Sequence, residues 1–356
     1  AWAALVLSGP LDTALELGQL TPATDFWSAA GHAAVDEVLG DIHRAAGRGA
    51  ESEAYLERAL AHARNAGDQQ AEVRAQWILG RLFYTQSRFE EARAQFEPAL
   101  EVCRALGQRT EEGHLVGSLA TVLARLGRLD DATTLLEEAL AIHREVGNRV
   151  GEGAVTGNLA VLYRRRGQPD AARKYLEAAI EIHRRVGDRR LEGDVTGNLG
   201  VLQFRQGDWD AARATFDKAL RMHKQVGDRA AEARLYGNLG NLNLEDGQLE
   251  EAGRCYTQSL AAFREVGARG NEGMALTHLG QLRLEQGRLA EARGYLEESN
   301  ELLVGIDSRT RVWTLSSLAI LEHTEGQPDK AQTLLTEAED VVARISDNKD
   351  KDAQGE

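Results

Sequence analysis

Three Gly-Asn pairs recur every 40 residues, in a pattern suited to holding a peptide backbone. The pairs are Gly157–Asn158, Gly197–Asn198 and Gly237–Asn238. An asparagine side chain offers one acceptor and two donors, which match the groups of a peptide bond. A glycine beside it lets another backbone come close, because it carries no Cβ atom. We predict that these pairs contact the backbone of a bound segment.

The same pairs also allow a purely structural explanation. Inside a helix, glycine costs about 1 kcal/mol relative to alanine, and asparagine competes for backbone hydrogen bonds. Their repeated use therefore needs a reason. The glycine could serve close packing between helices, and the asparagine could bond the neighbouring unit. The sequence leaves both explanations open.

Arginine and a few other side chains follow the pairs on the same helical face. Arginine suits acidic side chains or a C-terminal carboxylate, because its guanidinium group can form two parallel hydrogen bonds with a carboxylate. The alternative for these arginines is a solvated helix face. The complete predicted partner-binding set is Gly157, Asn158, Arg164, Arg165, Gly197, Asn198, Phe204, Arg205, Arg234, Gly237, Asn238 and Asn241.

A column of three histidines raises the question of a metal site. His143, His183 and His223 are spaced by 40 residues. Side chains one unit apart lie roughly 10 Å from each other when helices pack at the usual distance, whereas a Zn–N bond measures about 2 Å. The same column holds Cys103 and Phe263. We predict a packing position and no metal site.

Motifs for catalysis or for a bound cofactor are missing from the sequence. It contains no G-x-x-x-x-G-K-[ST] loop, no H-E-x-x-H and no C-x-x-C. Gly193, Gly197 and Gly200 resemble part of a phosphate loop, but no strand precedes them. We therefore predict no enzymatic activity and no cofactor.

The elements that position these residues follow from the 40-residue period. Self-similarity at this spacing is the signature of a solenoid, in which each unit packs only on its neighbours. In one unit, Asn148 is a plausible N-cap, Gly167 ends the first helix, and Pro169 and Gly187 bound the second. The period predicts an all-α fold of antiparallel helix pairs.

Leucine, small-residue and glycine columns together resemble the tetratricopeptide repeat over about residues 27–346. The leucine column is Leu39, Leu79, Leu119, Leu159, Leu199, Leu239 and Leu279, and each member precedes Gly or Ala. The resemblance implies a right-handed α-solenoid, or superhelix, of about eight units. These are predicted at 27–66, 67–106, 107–146, 147–186, 187–226, 227–266, 267–306 and 307–346.

The family's first helices line a concave groove that binds a peptide or protein segment, so the resemblance implies such a partner here. In the family an asparagine of this column contacts the peptide, which carries over to Asn158, Asn198 and Asn238. The usual repeat of the family is shorter, at about 34 residues. The longer variant found here is similar to repeats of Pins/LGN adaptors, kinesin light chains and bacterial multidomain regulators. The carboxylate clamp of chaperone-binding members is incomplete, because Ala154 and Asp194 occupy two of its positions.

Composition narrows the class of partner. The net charge of −14 argues against nucleic acid. Cys103 and Cys255 lie nearly four units apart, so no disulfide is expected and a reducing, cytoplasmic location is predicted. No apolar run approaches the length that a membrane-spanning helix needs, so we expect no membrane partner.

The chain ends frame the functional hypotheses. Residues 1–26 resemble the remnant of a preceding degenerate repeat, and 347–356 form a polar tail. The leading hypothesis is a noncatalytic protein-interaction module. Because the sequence starts at Ala1 without Met, an alternative is the sensor arm of a larger signalling or defence enzyme whose catalytic domain precedes residue 1. A self-assembling scaffold is a third hypothesis, and the oligomeric state is left open.

Overall fold

The structure is a computed structural model that describes residues 28–45, 48–305 and 309–354. All regular elements in these ranges are helices, which confirms the all-α prediction. They are α1 Ala29–Ala45, α2 Gly49–Ala66, α3 Gln69–Thr85, α4 Phe89–Leu106, α5 Arg109–Arg125, α6 Leu129–Glu145, α7 Arg149–Arg165, α8 Pro169–Val186, α9 Arg189–Arg205, α10 Trp209–Val226, α11 Arg229–Glu245, α12 Leu249–Glu265, α13 Arg269–Glu285, α14 Leu289–Leu303, α15 Arg309–Thr324 and α16 Pro328–Gln354.

Two predicted segments lie at the chain ends. The proposed repeat remnant, residues 1–26, falls outside the described residues. At the other end, helix α16 extends to Gln354, so the backbone of 347–354 continues this helix. The last two residues, 355–356, are again outside the described ranges.

Glycine turns reverse the chain between helices. Gly187, for example, ends α8 in the left-handed conformation with φ of 76°. The next residue, Asp188, caps α9 by accepting a hydrogen bond from the backbone N–H of Leu191 at 3.0 Å. Such short connections make consecutive helices antiparallel neighbours. This pairing supports the division into eight repeats, which we keep as a proposal.

Packing divides the helices between two compact units, one ending at Leu162 and the other beginning at Tyr163. In the second unit the core is a series of clusters. Several clusters join the second helix of one pair to the first helix of the next, as where Phe216 of α10 packs with Leu235 and Leu239 of α11. The stack therefore has no single centre.

Within a pair, a small residue of the first helix faces a bulky side chain of the second helix. A Cβ atom added at Gly240 would lie 2.4 Å from the ring of Tyr256, and one at Gly200 would lie 2.6 Å from Phe216. The corresponding distance at Gly280 is 2.5 Å, to Leu296. Glycine is needed here because the facing side chains occupy the space of a methyl group.

The histidine column consists of buried packing residues. His143, His183 and His223 are at most 2% exposed. A Cβ atom added at Gly151 would lie 2.6 Å from the ring of His143. Burial lowers the pKa of His143 to about 4, with a further contribution from the positive charge of His114, while Glu152 acts in the opposite direction.

A glutamate near the start of several first helices ties neighbouring pairs together. Glu192 is 1% exposed, and its carboxylate accepts hydrogen bonds from Arg184 of α8 at 3.1 Å and from Arg189 at 2.8 Å. Glu112 and Glu152 have the same two kinds of arginine partner. The charges of this column are therefore matched within the stack.

Gly240→Ala and Gly237→Ala form a matched pair of changes in α11 with opposite expected effects on stability. The methyl group at 240 would meet the fully buried ring of Tyr256, so we expect a loss of about 1–3 kcal/mol. At 237 the nearest atom is Ser259 Oγ, 3.6 Å away, so the better helix propensity of alanine should add up to about 1 kcal/mol. Urea unfolding followed by circular dichroism measures both. Equal effects would contradict the packing role of Gly240.

The low pKa of His143 makes stability depend on pH. The imidazole has a reference pKa of 6.5 and a folded pKa of about 4, so between these values the unfolded chain binds more protons. Stability should therefore fall as the pH is lowered through this window. We expect the melting temperature of His143→Phe to fall less than that of the wild type between about pH 7 and about pH 4.5, while buried His278 keeps part of the pH dependence. The exposed His323→Phe is the control. An unchanged pH profile in His143→Phe would refute this account.

Candidate functional site

A cleft in the second unit brings six of the predicted binding residues together. It has a volume of about 460 Å³ and lies across the first helices α9, α11 and α13. The six residues are Gly197, Asn198, Arg234, Gly237, Asn238 and Asn241.

Helical periodicity explains why these side chains share one surface. Asp194, Asn198 and Val201 lie at positions i, i+4 and i+7 of α9, which places them on one face. Arg234, Asn238 and Asn241 occupy the equivalent positions of α11. The 40-residue period therefore brings equivalent positions of successive first helices to the same surface.

The asparagine amides of the cleft differ in how they are satisfied. Asn198 is exposed and Asn238 is half-buried, and neither side chain forms a hydrogen bond with another described residue. In contrast, the Oδ1 atom of Asn241 accepts a hydrogen bond from the hydroxyl group of Tyr256 at 2.8 Å. Two amide groups thus line the cleft with their donors and acceptors unused by the described chain.

Glycine packing explains part of the Gly-Asn pattern. A Cβ atom at Gly197 would lie 3.3 Å from Leu235 Cδ2, which is a tight contact with the end of a flexible side chain. At Gly237 the nearest atom, Ser259 Oγ, is 3.6 Å away, an ordinary contact distance. A methyl group therefore fits at Gly237, and close helix packing does not account for this glycine.

The charges at the centre of the cleft are paired. Arg234 Nη2 lies 3.2 Å from Asp194 Oδ1, which joins equivalent positions of neighbouring first helices. The same carboxylate oxygen is 3.6 Å from Nε2 of the buried His223. The positive charge of Arg234 is consequently directed to a carboxylate of the chain itself.

The other predicted residues lie apart from this cleft. Phe204 is partly buried against the core cluster that contains Phe216. Arg164 is half-buried, and its pKa is lowered by burial and by the neighbouring charges of Arg205 and Arg165. Neither Arg164 nor Arg205 pairs with an acidic group among the described residues.

Gly157 and Asn158 belong to α7 in the first unit. Gly157 is buried and Asn158 is exposed. The amide of Asn158 forms no side-chain hydrogen bond within the described ranges. In this respect it is similar to Asn198 and Asn238.

Several residues that line the cleft were missed by the sequence analysis. Met274 and His278 of α13 stand 40 residues after Arg234 and Asn238, so the column alignment contained the signal. The ring of His278 stacks on Tyr256 at 4.9 Å and meets Trp313 edge-on at 4.8 Å. Burial lowers the pKa of His278 to about 4, so the ring is neutral near pH 7.

Within the described ranges, no three His, Cys, Asp or Glu side chains come together as metal ligands. None of the helices in the described part of the chain is long and apolar enough to cross a membrane. Cys103 and Cys255 are both buried free thiols, and burial raises the pKa of Cys103 to about 11, with smaller contributions from Glu111 and Glu112.

Three solved structures similar to this chain share its helical architecture. The apo form of the quorum sensor NprR from B. thuringiensis has 15% identity and a TM-score of 0.66, with 96% of each chain covered. A Rap protein complexed with competence and sporulation factor has 15% identity and a TM-score of 0.63, covering 98% of this chain and 97% of that one. A signal transduction ATPase with a tetratricopeptide repeat sensor from Pyrococcus horikoshii has 14% identity and a TM-score of 0.62, covering 96% of this chain and 54% of that one. At these identities the likeness concerns the fold alone.

Sequence comparison identifies the repeat itself. Curated protein sequences gave no significant match. The family model described as Tetratricopeptide repeat matches residues 32–105, 113–185, 191–265, 230–303 and 271–343. These matches extend over far more than half of the chain and confirm the resemblance seen in the columns. The chain belongs to the tetratricopeptide repeat family.

Proposed function

We propose that this chain is a noncatalytic interaction module that binds an extended peptide or protein segment in the cleft across α9, α11 and α13. The observation that carries the proposal is the pair of amides of Asn198 and Asn238, which line the cleft without a hydrogen-bond partner in the described chain. An extended segment carries N–H and C=O groups that need such partners.

The distance between neighbouring helices corresponds to about three residues of an extended chain. Neighbouring packed helices lie about 8–10 Å apart, and an extended segment advances about 3.3 Å per residue. One asparagine per first helix would therefore meet a peptide group roughly every three residues of the ligand. Gly237 would let the ligand backbone come close between these contacts, since no side chain stands there.

Acidic groups of the ligand would bind at Arg164 and Arg205. These arginines have no acidic partner in the described chain, and their mutual repulsion would be relieved by a carboxylate. Arg165 and Phe204 belong to the same predicted set. In the first unit, Gly157 and Asn158 offer an unpaired amide of the same kind, which we propose as a binding position of that unit.

Other properties concern partner class and location. The net charge of −14 favours a protein partner over nucleic acid. The buried free thiols of Cys103 and Cys255 suit a reducing compartment such as the cytoplasm. The oligomeric state is not part of the proposal.

A sensor role is the second candidate. The similar ATPase from Pyrococcus horikoshii carries a tetratricopeptide repeat sensor, and this chain spans about half of that protein, with 54% covered. A quorum sensor and a Rap protein bound to competence and sporulation factor are also similar in fold. Such a role in a larger signalling or defence protein would use the same cleft, because sensing requires binding. Sequencing the full-length gene tests it, and an upstream catalytic domain is the expected result.

Asn198→Ala/Asn238→Ala tests the amide contacts. Random linear peptides displayed on phage are selected on the immobilised chain, and the selected peptides are labelled for fluorescence anisotropy. We expect the double variant to bind them at least about tenfold more weakly, because each lost hydrogen bond contributes about 1 kcal/mol. Asn65→Ala/Asn271→Ala removes two asparagines outside the cleft and is the matched control. Wild-type affinity in the cleft variant would refute the proposal.

Gly237→Ala tests the close approach of the ligand backbone. The added methyl group has room in the free chain but would occupy the space proposed for the ligand. We expect the melting temperature to rise and the affinity for the selected peptides to fall. A loss of folding cannot produce this pair of opposite changes. Unchanged affinity would show that this glycine does not contact the ligand.

A further inference from the structure

An apolar surface continues the cleft from α13 onto α15. Met274 and His278 line the cleft, and Trp313 contacts the ring of His278. Ile320 lies two helical turns after Trp313 on the same face of α15. We call these four residues the anchor surface. Trp313 is 37% exposed and Ile320 is 60% exposed, so both present apolar area to solvent.

The anchor surface interrupts the polar lining of the other first helices. Its Met274 stands where α9 has Asp194 and α11 has Arg234, and His278 stands in the asparagine column. The neutral imidazole of His278 adds no charge near pH 7. The lining thus changes from amides and paired charges to apolar groups towards α15, which favours an apolar side chain of the ligand there.

Two glutamates without an ion-pair partner lie on α11 and α13, two of the helices that line the cleft. Glu245 and Glu285 are the last residues of α11 and α13, are exposed, and form no ion pair with the described residues. A carboxylate in the last turn is unfavourable because it faces the negative end of the helix dipole. The equivalent residue of α9 is Arg205, which obeys the rule. Helix stability therefore does not explain the two glutamates.

Glu245 and Glu285 stand seven residues, or two helical turns, after Asn238 and His278, and so lie on the same faces of α11 and α13 as these cleft residues. The pKa of Tyr256 is raised by burial and further by negative charge, to which Glu285 and Glu245 contribute. Tyr256 stacks on His278 and bonds Asn241. The two carboxylates thus act on the ring that joins the cleft to the anchor surface.

We propose that the ligand has a bulky apolar side chain that packs on the anchor surface and a neighbouring lysine or arginine that pairs with Glu245 and Glu285. This inference rests on the proposed function, since it names the chemistry of the segment held by the cleft. We choose this occupant because the anchor surface continues the cleft and because a lysine or arginine is complementary in charge to the two glutamates. The basic residue would lie at the opposite end from the acidic group proposed for Arg164 and Arg205, so the ligand binds in one direction.

Charge reversal tests the basic contact. Peptides are selected from the phage library on the wild-type chain and on Glu245→Lys/Glu285→Lys. We expect the wild type to enrich lysine or arginine next to an aromatic or large aliphatic residue, and the variant to enrich aspartate or glutamate at that place. Glu137→Lys/Glu177→Lys changes two exposed glutamates of second helices, gives the same net charge, and should keep the wild-type preference.

Ile320→Ser tests the apolar contact at a mostly exposed position, so folding should be unaffected. We expect a selected peptide to bind several-fold more weakly to this variant. The same peptide with alanine in place of its bulky residue should bind both chains equally. Trp313→Ala is a second variant whose melting temperature is measured alongside.

The outcomes separate the two proposals. If selected peptides depend on Asn198 and Asn238, but charge reversal and Ile320→Ser leave the selection and affinities unchanged, the anchor is refuted and the cleft assignment stands. If no selected peptide binds above its scrambled version, or the asparagine variant binds normally, the proposed function fails and the anchor fails with it.

Discussion

The rest of the structure depends on one contact within a helix pair. In this contact, a small residue of the first helix packs against a bulky side chain of the second helix. Gly240 against Tyr256 and Gly200 against Phe216 leave no space for a methyl group. Each contact fixes which face of the first helix meets the second. Successive residues of an α-helix are separated by about 100° around the helix axis. The asparagine two positions before each of these glycines is therefore on nearly the opposite side of the helix. Asn238 and Asn198 therefore line the cleft as a consequence of core packing.

This geometry also explains why core and cleft tolerate different changes in one helix. Gly240 belongs to the packed side, where interiors are dense and a single added carbon is felt. Gly237, one turn away, lines the cleft, and the nearest atom to a Cβ added there is Ser259 Oγ at 3.6 Å. Tyr256 connects the two sides, because its ring packs against Gly240 while its hydroxyl group bonds Asn241. One side chain thus joins the helix pair and positions a polar group of the cleft.

The period in the sequence was sufficient to predict the helix pairs, since a repeated pattern of small and apolar residues has few other solutions. It also identified six residues that share one cleft. It did not predict that Arg234 pairs with Asp194, because the two residues align in one column but the distance between their side chains depends on how adjacent repeats pack. Phe204 is partly buried against a core cluster, and this contact depends on the direction of its side chain, which the column alone does not give. His278 was missed because it breaks the Gly-Asn pattern.

Along the cleft, the structure changes character from one first helix to the next. One column carries a positive charge in α9, at Arg205, and negative charges in α11 and α13, at Glu245 and Glu285. At the centre of the cleft, the charges of Arg234 and Asp194 neutralise each other. A ligand bound as proposed would meet different charges at its two ends, which a uniform row of amides would not provide. In that proposal, discrimination would come from the exceptions to the repeat, and backbone binding from the repeat itself.

A crystal structure of the chain with a library-selected peptide tests the central claim most directly. We expect backbone N–H and C=O groups of the peptide about 3 Å from the side-chain amides of Asn198 and Asn238. A peptide bound elsewhere, with both amides still lacking a partner, would contradict the account.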